Sequence, residues 1–273
     1  MSKLLLRFGA LGYLALLLLA PVAMIAYRTF EHGIGPVWDA LTTPAALHAL
    51  YLSVAVTAIA VPLNLVFGIG AGILLARRRM PAGGLVNLLI NLPFAMSPVV
   101  IGLALFVLYG RTGWIGSWLA ERGLQVLFSF PGIVLATAFV CLPFVVREVV
   151  PVLEELGDDQ EQAARSLGAN AWQTFWRITL PGIKWAVVYG VVLSLARSLG
   201  EFGAVKVVAG NVSGETTTAT VLVQQKYQNF EQGTAYAISF LLAIAAVVCL
   251  VVVALLRPKD HRPTKAHKNK ELA

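Results

Sequence analysis

Charged residues and cysteines are scarce in this chain, and it lacks the usual motifs for nucleotides and metals. Asp, Glu, Lys and Arg make up 13% of its 273 residues, about half the share found in soluble proteins. Cys141 and Cys249 are far apart and have no histidine near them, so we expect neither a disulfide nor a metal site. No G-x-x-x-x-G-K-[ST] motif occurs, so the chain has no P-loop for ATP. These absences exclude an ordinary soluble enzyme, and no cofactor is expected in this chain.

Apolar residues are correspondingly abundant. They make up 58% of the sequence, and the mean hydropathy is +0.77, which indicates an integral membrane protein. A helix needs roughly 20 apolar residues to cross about 30 Å of hydrocarbon. Stretches of that length occupy residues 8–27, 47–76, 85–109, 130–150, 185–208 and 233–256. The sequence therefore predicts an all-α integral membrane protein with about six spanning helices.

The predicted spans divide the chain into three parts. Residues 1–46 are an N-terminal transmembrane helix with an external loop, residues 47–257 are the transmembrane core, and residues 258–273 are a basic tail. The first span is longer than the roughly 7 to 15 residues of a signal-peptide core, so we expect it to be retained. Prolines inside the spans predict kinks, not loops. They include Pro62, Pro93, Pro98 and Pro143.

Lysines and arginines are distributed unevenly between the two sides of the membrane. With both termini inside, fifteen of the 21 lie on the cytoplasmic side and four lie outside. The fifteen are Lys3, Arg7, Arg77, Arg78, Arg79, Arg147, Arg165, Arg177, Lys184 and the six from Arg257 to Lys270. This is the positive-inside pattern, so we predict a multi-pass protein with both termini in the cytoplasm. The basic tail is expected to lie beside membrane lipid and not to bind nucleic acid.

A polar insert between the fourth and fifth spans begins with a short predicted helix. The insert reads EQAARSLGANAWQTFWRITLP over residues 161–181. Asp158 and Glu161 have the spacing of a capping box, which predicts the start of this helix. Its apolar stripe comprises Ala163, Ala164 and Leu167. Gly168 then stands where a C-terminal residue in the left-handed conformation belongs.

A second short helix follows the glycine. Asn170 is placed to cap it, and its aromatic face comprises Trp172, Phe175 and Trp176. Pro181 is expected to end this helix. The pattern alone fits two structures, a docking element for a cytoplasmic partner and an amphipathic hairpin lying on the bilayer.

The spacing of the insert resembles the EAA loop of ABC importer permeases, in which a glycine is followed ten residues later by Ile or Val and then by x-Leu-Pro. Those positions are Gly168, Ile178, Leu180 and Pro181. The resemblance implies a cytoplasmic coupling loop at about residues 154–184, which docks into a separate ATPase and passes its ATP-driven closure to the helices. The implied coupling residues are Glu161, Gln162, Ala163, Ala164, Leu167 and Gly168.

One position departs from the family pattern. The family's glutamate, six residues before the glycine, is Gln162 in this chain, and Glu161 lies one position earlier. The resemblance therefore leaves open whether this chain makes any salt bridge that the glutamate makes elsewhere.

Two charged residues lie four apart in the fifth predicted span, within SLARSLGEFGAVKVVAGN. On a helix Arg197 and Glu201 share one face, and each ionised group near the bilayer centre costs roughly 2.5 to 3.5 kcal/mol. Two interpretations stay open: a satisfied structural pair, and a gate or lining of a translocation path. Ser97 is a further candidate for the path, because the prolines around it in NLPFAMSPVVIGLAL predict a kink with free backbone groups.

Both segments are similar to the sulfate and molybdate branch of the ABC importer permeases, where the stretch around Arg197 reads closely as A-R-x-L-G-E-F-G-A. The chain length and the additional first span resemble the W-type membrane subunit of the sulfate/thiosulfate importer more than the molybdate permease. The resemblance implies the transmembrane domain of a type I importer in the bacterial inner membrane. Its substrate would be a tetrahedral oxyanion, sulfate or thiosulfate, with molybdate or tungstate as the alternative.

The resemblance also implies partners. A homologous T-type permease would complete the pore, an ABC ATPase dimer would bind ATP and Mg, and an extracytoplasmic oxyanion-binding protein would deliver the substrate. Two other classes stay as alternatives. An ion-coupled secondary transporter would need carboxylates for its coupling ion near the midplane, and only Glu201 qualifies. It often contains an inverted repeat as well, and none is seen in this sequence. An intramembrane enzyme lacks a catalytic set, because the histidines lie at span ends, in loops or in the tail.

Overall fold

The computed structural model of the protein describes residues 3–77, 83–210, 212 and 214–256. The predicted basic tail, Arg78 and Arg79 lie outside these residues. Within them the chain is helical and contains no β-strand. In chain order the helices are α1 Lys3–Phe30, α2 Ile34–Leu41, α3 Pro44–Ala76, α4 Gly83–Ala95, α5 Pro98–Tyr109, α6 Gly116–Ala120, α7 Phe130–Leu156, α8 Asp159–Ser166, α9 Ala171–Thr174, a π-helical turn Phe175–Thr179, α10 Leu180–Leu199, α11 Gly203–Val208, α12 Ala219–Gln228 and α13 Gln232–Leu256.

The apolar spans agree with the predicted membrane architecture. Five helical segments are long and apolar enough to cross a bilayer, and a bent pair, α4 with α5, supplies up to one more. The five are Arg7–Phe30, Pro44–Ala76, Phe130–Leu156, Ala171–Leu199 and Gln232–Leu255. An all-helical membrane fold with five or six spans is therefore confirmed.

The span predicted over residues 85–109 is broken and not merely kinked. Its two helices, α4 and α5, meet at 114°, with Met96 and Ser97 between them. Pro98 begins α5, and the residue before a proline is disfavoured in the helical conformation. Ser97 accordingly has φ −63° and ψ 138°. The expectation of a kink is wrong here, because the chain leaves the helix altogether.

The fifth predicted span, residues 185–208, is also interrupted. α10 ends at Leu199 and α11 begins at Gly203, so Glu201 lies outside both helices. Its carboxylate Oε1 accepts a hydrogen bond from the backbone N–H of Ala204 at 2.9 Å. The side chain therefore satisfies an amide at the start of α11, where a new helix leaves such groups unpaired. The prediction of one continuous helix is wrong.

Helices α3, α7 and α10 form the centre of the bundle. Two glycines of α3 allow the closest approach to α7. A Cβ on Gly68 would lie 2.7 Å from the Cβ of Val145, and one on Gly72 would lie 2.9 Å from the Cγ1 of Val149. Small residues at this spacing let membrane helices pack backbone to backbone.

Helix α1 lies at the edge of the bundle. The most apolar part of this helix is not covered by the rest of the described chain. Near its C-terminal end, the Thr29 hydroxyl donates to the carbonyl of Tyr236 at 3.1 Å, and the rings of Phe30 and Phe240 are 5.1 Å apart. α1 is thus attached to α13 at one end.

Candidate functional site

Glu161 lies at the centre of a buried polar cluster where the polar insert meets the bundle. Its side chain is 7% exposed, and Oε1 accepts hydrogen bonds from Nη2 of Arg77 at 2.8 Å and from the Thr179 hydroxyl at 2.9 Å. Nη1 of Arg77 donates to the carbonyl of Leu153 at 2.9 Å. The cluster therefore joins α8 to the C-terminal ends of α3 and α7 and to the turn that leads into α10.

The charges in this cluster favour an ionised carboxylate. Burial by itself raises the pKa of the Glu161 carboxyl, but the hydrogen bonds from Arg77 and Thr179 and the charges of Arg77 and Arg165 together place that pKa below its ordinary value. Nη2 of Arg165 is 3.7 Å from Oε2, and its side chain is 43% exposed, so it adds little. Arg77 and Glu161 thus form a buried ion pair at neutral pH.

The capping box predicted from Asp158 and Glu161 does not form. Asp158 is the N-cap of α8, but its side chain makes no capping hydrogen bond, and the Glu161 side chain is bound to Arg77 instead. A charge-assisted hydrogen bond between buried groups is stronger than a cap at the surface. Gln162, at the position of the family's glutamate, is exposed, so the salt bridge of this helix is made one position earlier.

Gly168 forms the turn between α8 and α9, as predicted. Its φ is +87°, and the next N–H, that of Ala169, donates to the carbonyl of Ala164 at 3.0 Å. Apart from its two chain neighbours, no described residue has an atom within 4 Å of the position where a Cβ would be. The left-handed backbone, and not a lack of space, therefore requires glycine here.

Asn170 caps the second helix, and this prediction is confirmed. Its side chain accepts from the N–H of Gln173 at 2.8 Å, while the Gln173 side chain accepts from the N–H of Asn170 at 3.0 Å. This reciprocal pair is a capping box, and it fixes the direction in which the chain leaves the Gly168 turn.

Pro181 does not end the second helix, so that prediction is wrong. The chain continues from α9 through the π-helical turn Phe175–Thr179 into α10. In that turn the N–H of Leu180 donates to the carbonyl of Phe175, five residues back. Pro181 therefore stands in the first turn of α10, where its missing N–H and fixed φ are tolerated.

An uncovered apolar surface lies along α8 and α9. Leu167 is 89% exposed, Trp172 is 68% exposed and Trp176 is 50% exposed. Ala163 is exposed beside them, and Ala164 is half-buried. We call Ala163, Leu167, Trp172 and Trp176 the coupling face. Large apolar side chains grouped at a surface in this way are typical of an interaction site.

Arg197 and Glu201 form the ion pair expected from their spacing, although not along one helix. Nη1 of Arg197 is 2.7 Å from Oε2 of Glu201, and the two side chains are 30% and 1% exposed. The pair crosses the break between α10 and α11. The backbone carbonyl of Glu201 also accepts from the Thr220 hydroxyl at 2.6 Å, so the break is tied to α12.

Sequence reasoning misses the α12 side chains that complete this region. Besides the Thr220 bond, Nζ of Lys206 donates to the side-chain oxygen of Gln224. These partners lie 19 and 18 residues away along the chain, across a segment with no regular period. The polar run GETTTA, residues 214–219, indicates that α12 starts in polar surroundings, but such a run does not reveal which residues it contacts.

The two chain breaks lie against each other. A Cβ on Gly203 would be 3.0 Å from the Cβ of Pro98, and one on Gly102 would be 2.9 Å from the carbonyl oxygen of Ala204. Ser97 is exposed, and its side chain makes no capping hydrogen bond. The structure thus brings the Ser97 and Glu201 segments together. It separates them from the coupling face by α10, which is about 30 Å long at its 20 residues.

Comparison with known proteins gives the family. The model of the "Binding-protein-dependent transport system inner membrane component" family matches residues 68–259. The chain belongs to this family. A sulfate transport system permease protein CysW of Synechocystis is 49% identical over 250 residues, which cover 92% of this chain and 91% of the relative. A CysT permease of Escherichia coli K12 is 36% identical over 258 residues, which cover 94% and 93%.

A solved structure shows the same fold. A chain of the bacterial alginate ABC transporter, in complex with alginate pentasaccharide-bound periplasmic protein, superimposes with a TM-score of 0.72 at 18% identity, covering 96% of this chain and 95% of that one. As a member of the family, this chain is a multi-pass inner-membrane permease component and not itself an enzyme.

Proposed function

We propose that this chain is the pore-forming permease subunit of an ATP-driven importer for a tetrahedral oxyanion, sulfate or thiosulfate in particular. The observation that carries the proposal is its 49% identity to a CysW sulfate permease over 92% of the chain. The coupling face supports it, because it supplies an uncovered apolar surface where a cytoplasmic ATPase would bind. Molybdate and tungstate are the alternative substrates, since they have the same shape and charge.

The residues implied at the coupling loop have separate roles in this proposal. Ala163 and Leu167 contact the ATPase, with Ala164 packed behind them and Gln162 at the exposed edge. Gly168 sets the angle between α8 and α9. Glu161 holds α8 to Arg77, so ATPase closure that displaces α8 also pulls on α3 and α7. A packed helix attached at several points transmits displacement as a rigid body.

The proposed complex has four kinds of component. Two permease subunits, this chain and a homologous T-type chain, enclose one path, and a dimer of ABC ATPases beneath them binds ATP and Mg. An extracytoplasmic oxyanion-binding protein delivers the substrate and provides the affinity. Relatives of both the CysW and the CysT type support a pore of two different subunits, and membrane lipid surrounds it.

The paired breaks are the proposed gate of the path. Backbone that leaves a helix within a membrane is tolerated only against protein or a water-filled cavity. Ser97 lies in one such break, and Arg197 with Glu201 spans the other. The ion pair is nearly neutral as a unit, so it can line a path for a dianion without holding it tightly.

Purification and transport test the proposal together. Mass spectrometry of the complex purified through this chain should find an ABC ATPase and a second permease. After reconstitution with the binding protein, vesicles should take up labelled sulfate only when ATP is supplied to the ATPase side. A complex that contains both partners but transports neither sulfate nor any competing oxyanion would remove the substrate assignment, and a chain that purifies alone would remove the whole proposal.

We propose that the coupling loop and both termini lie in the cytoplasm. The charge asymmetry of the sequence supports this orientation. In a background without Cys141 and Cys249, a single cysteine at Ala169 should react with an impermeant thiol reagent only from the cytoplasmic side. A cysteine at Gly35, in the segment after the first span, is the matched control and should react from outside. Labelling of Ala169→Cys in intact cells contradicts this topology.

A further inference from the structure

Arg147 is an exposed cation inside a membrane-spanning helix. It belongs to α7, Phe130–Leu156, and lies about nine residues, or about 14 Å, before the C-terminal end of that helix. The predicted span of this helix ends at residue 150, so Arg147 lies in the last turn of that span. A guanidinium beside hydrocarbon is costly unless it faces protein or water. Its surroundings therefore indicate what it faces.

Two neighbours on α4 hold the guanidinium group in place. Nε of Arg147 donates to Oδ1 of Asn91 at 2.9 Å, and its Cζ is 4.0 Å from the ring centre of Phe94. Nδ2 of Asn91 in turn donates to the carbonyl and to Oδ1 of Asn87, at 2.7 and 2.8 Å. The amide of Asn91 is thus oriented with its oxygen toward the arginine. Hydrogen bonding on one edge and stacking on one face fix the plane of the guanidinium.

The outer edge of the same group is free. Among the described residues, Nη1 and Nη2 of Arg147 have no hydrogen bond and no ion pair. Arg77 and Arg197 differ in this respect, since Arg77 binds Glu161 and Arg197 binds Glu201. A planar fork with two unpaired N–H edges matches two oxygens of a tetrahedral oxyanion.

The surface around Arg147 is continuous with the α4–α5 break. Phe94, on which the guanidinium stacks, is three residues before Ser97, and both are exposed. Exposed irregular backbone within a span must line another protein surface or a water-filled cavity, because lipid cannot satisfy its polar groups. The same reasoning applies to the adjacent arginine, so Arg147 and the break face protein or water and not lipid.

We propose that Arg147, oriented by Asn91 and Phe94, binds the translocated oxyanion transiently on the cytoplasmic side of the breaks. The inference rests on the proposed function, and it adds a cationic contact that the neutralised Arg197–Glu201 pair does not supply. The chemical class of ligand is a tetrahedral oxyanion held by the two Nη groups. A lipid phosphate has the same chemistry, so the test separates the two sources.

The test uses the complete reconstituted complex and labelled sulfate. Arg147→Gln keeps the length and polarity but removes the charge, and it should lower the maximal uptake rate by about tenfold or more, because it removes a charged hydrogen bond. The sulfate concentration for half-maximal uptake should not change, since the binding protein sets it. Asn91→Asp leaves Arg147 in place but adds a carboxylate beside it, and it should lower the rate by a similar factor.

A matched control is available outside the span. Arg122 also stacks on an aromatic ring, with Cζ 3.7 Å from the ring centre of Trp118, and donates to a nearby carbonyl. Arg122→Gln removes the same charge and the same kind of stacking but should leave uptake unchanged. Complex yield and ATP hydrolysis without substrate should be equal in all variants.

Four outcomes overturn the inference. Wild-type uptake by Arg147→Gln would do so, and so would a loss that only parallels a loss of complex yield. A defect present in phospholipid vesicles and absent in vesicles of a neutral glycolipid, which carries no phosphate, would assign the arginine to a lipid phosphate. If the wild-type complex itself transports no oxyanion, the proposed function and this inference fail together. If the wild-type complex transports sulfate and Arg147→Gln transports it equally well, this inference alone fails.

Discussion

Two buried carboxylates, Glu161 in the polar insert and Glu201 in the α10–α11 break, each bind an arginine, but they connect the chain over different distances. Glu201 binds Arg197 four residues away, and the N–H it caps is three residues away. Glu161 binds Arg77, which is 84 residues away, and Thr179, which is 18 residues away. The Arg197–Glu201 pair stabilises a local bend, whereas the Arg77–Glu161 pair holds separate elements together.

This difference teaches which pair the fold depends on. A local pair forms as soon as the helix end forms, and its loss disturbs one bend. The long-range Arg77–Glu161 pair determines how α8 is placed on the bundle. Its loss would detach the coupling face from α3 and α7. The exposure of the partners agrees with this ranking, because the Arg77 side chain is 6% exposed and that of Arg197 is 30% exposed.

The largest effect is expected from Glu161→Gln. The variant keeps the shape of the side chain but leaves the buried charge of Arg77 unpaired, which costs about 3 to 5 kcal/mol in buried pairs. We expect a lower melting temperature of the purified complex and loss of substrate-stimulated ATP hydrolysis. Glu154→Gln, an exposed carboxylate at the end of α7, is the matched control and should change stability by less than about 0.5 kcal/mol. Equal melting temperatures for the two variants contradict the ranking.

A smaller effect is expected from the local pair. Arg197→Ala and Glu201→Ala should each reduce complex yield and uptake, while the double variant recovers part of the loss, with a coupling free energy of about 0.5 to 3 kcal/mol. Removing both ends of a buried pair is milder than removing one. If Arg197 contacts the passing anion, Arg197→Ala stops uptake at normal yield and the second substitution restores nothing. Strictly additive small effects would dismiss both interpretations.

Gly168→Val tests the left-handed turn between α8 and α9. A β-branched residue at φ +87° costs about 1 to 2 kcal/mol and should misplace α9 relative to α8. We expect ATP hydrolysis to lose its stimulation by substrate while the bundle stays folded. Gly70→Val is the control, since Gly70 also has nothing within 4 Å but has no positive φ. If substrate stimulates ATP hydrolysis by Gly168→Val as strongly as in the wild type, the Gly168 turn does not transmit movement from the ATPase.

The smallest effect concerns pH. The pKa of Glu161 is lower in the folded protein than its ordinary value, so its stabilising contribution is present above the unfolded pKa of about 4.3 and is lost as the pH falls through the folded value. The difference in melting temperature between wild type and Glu161→Gln should stay constant from about pH 8 to pH 5 and shrink only below about pH 4.3. A difference that changes near neutral pH would assign the effect to another group.

Local features of the fold were predictable from the sequence, and long-range contacts were not. The apolar spans, the left-handed Gly168 and the Asn170 cap depend on composition or on residues a few positions apart. The 114° break was underestimated, because prolines show where a helix weakens but not how far the chain turns. The Glu161–Arg77 pair could not be found, since its partners are 84 residues apart and the nearby capping-box spacing favoured a different bond.

The same distinction between local features and long-range contacts applies to the site residues. Residues of the coupling loop were located by their spacing, which resembles a family pattern, and Arg197 with Glu201 by the cost of charge in a membrane. Thr220 and Gln224 were missed because they meet the α10–α11 break through the packing of α12. Arg147 was placed near the cytoplasmic end of its span, but its contacts with Asn91 and Phe94 could not be found, since these residues lie on another helix.

The π-helical turn Phe175–Thr179 makes this part of the chain tolerant of a change in length. Such a turn contains one residue more than the equivalent stretch of α-helix. Deleting one residue there would leave an ordinary α-helix with Trp172 of α9 and the side chains of α10 in their present angular relation. The same deletion in the middle of α10 would rotate every later residue by about 100° and turn Arg197 away from Glu201. Deleting one residue should therefore disturb the fold less between Phe175 and Thr179 than in the middle of α10.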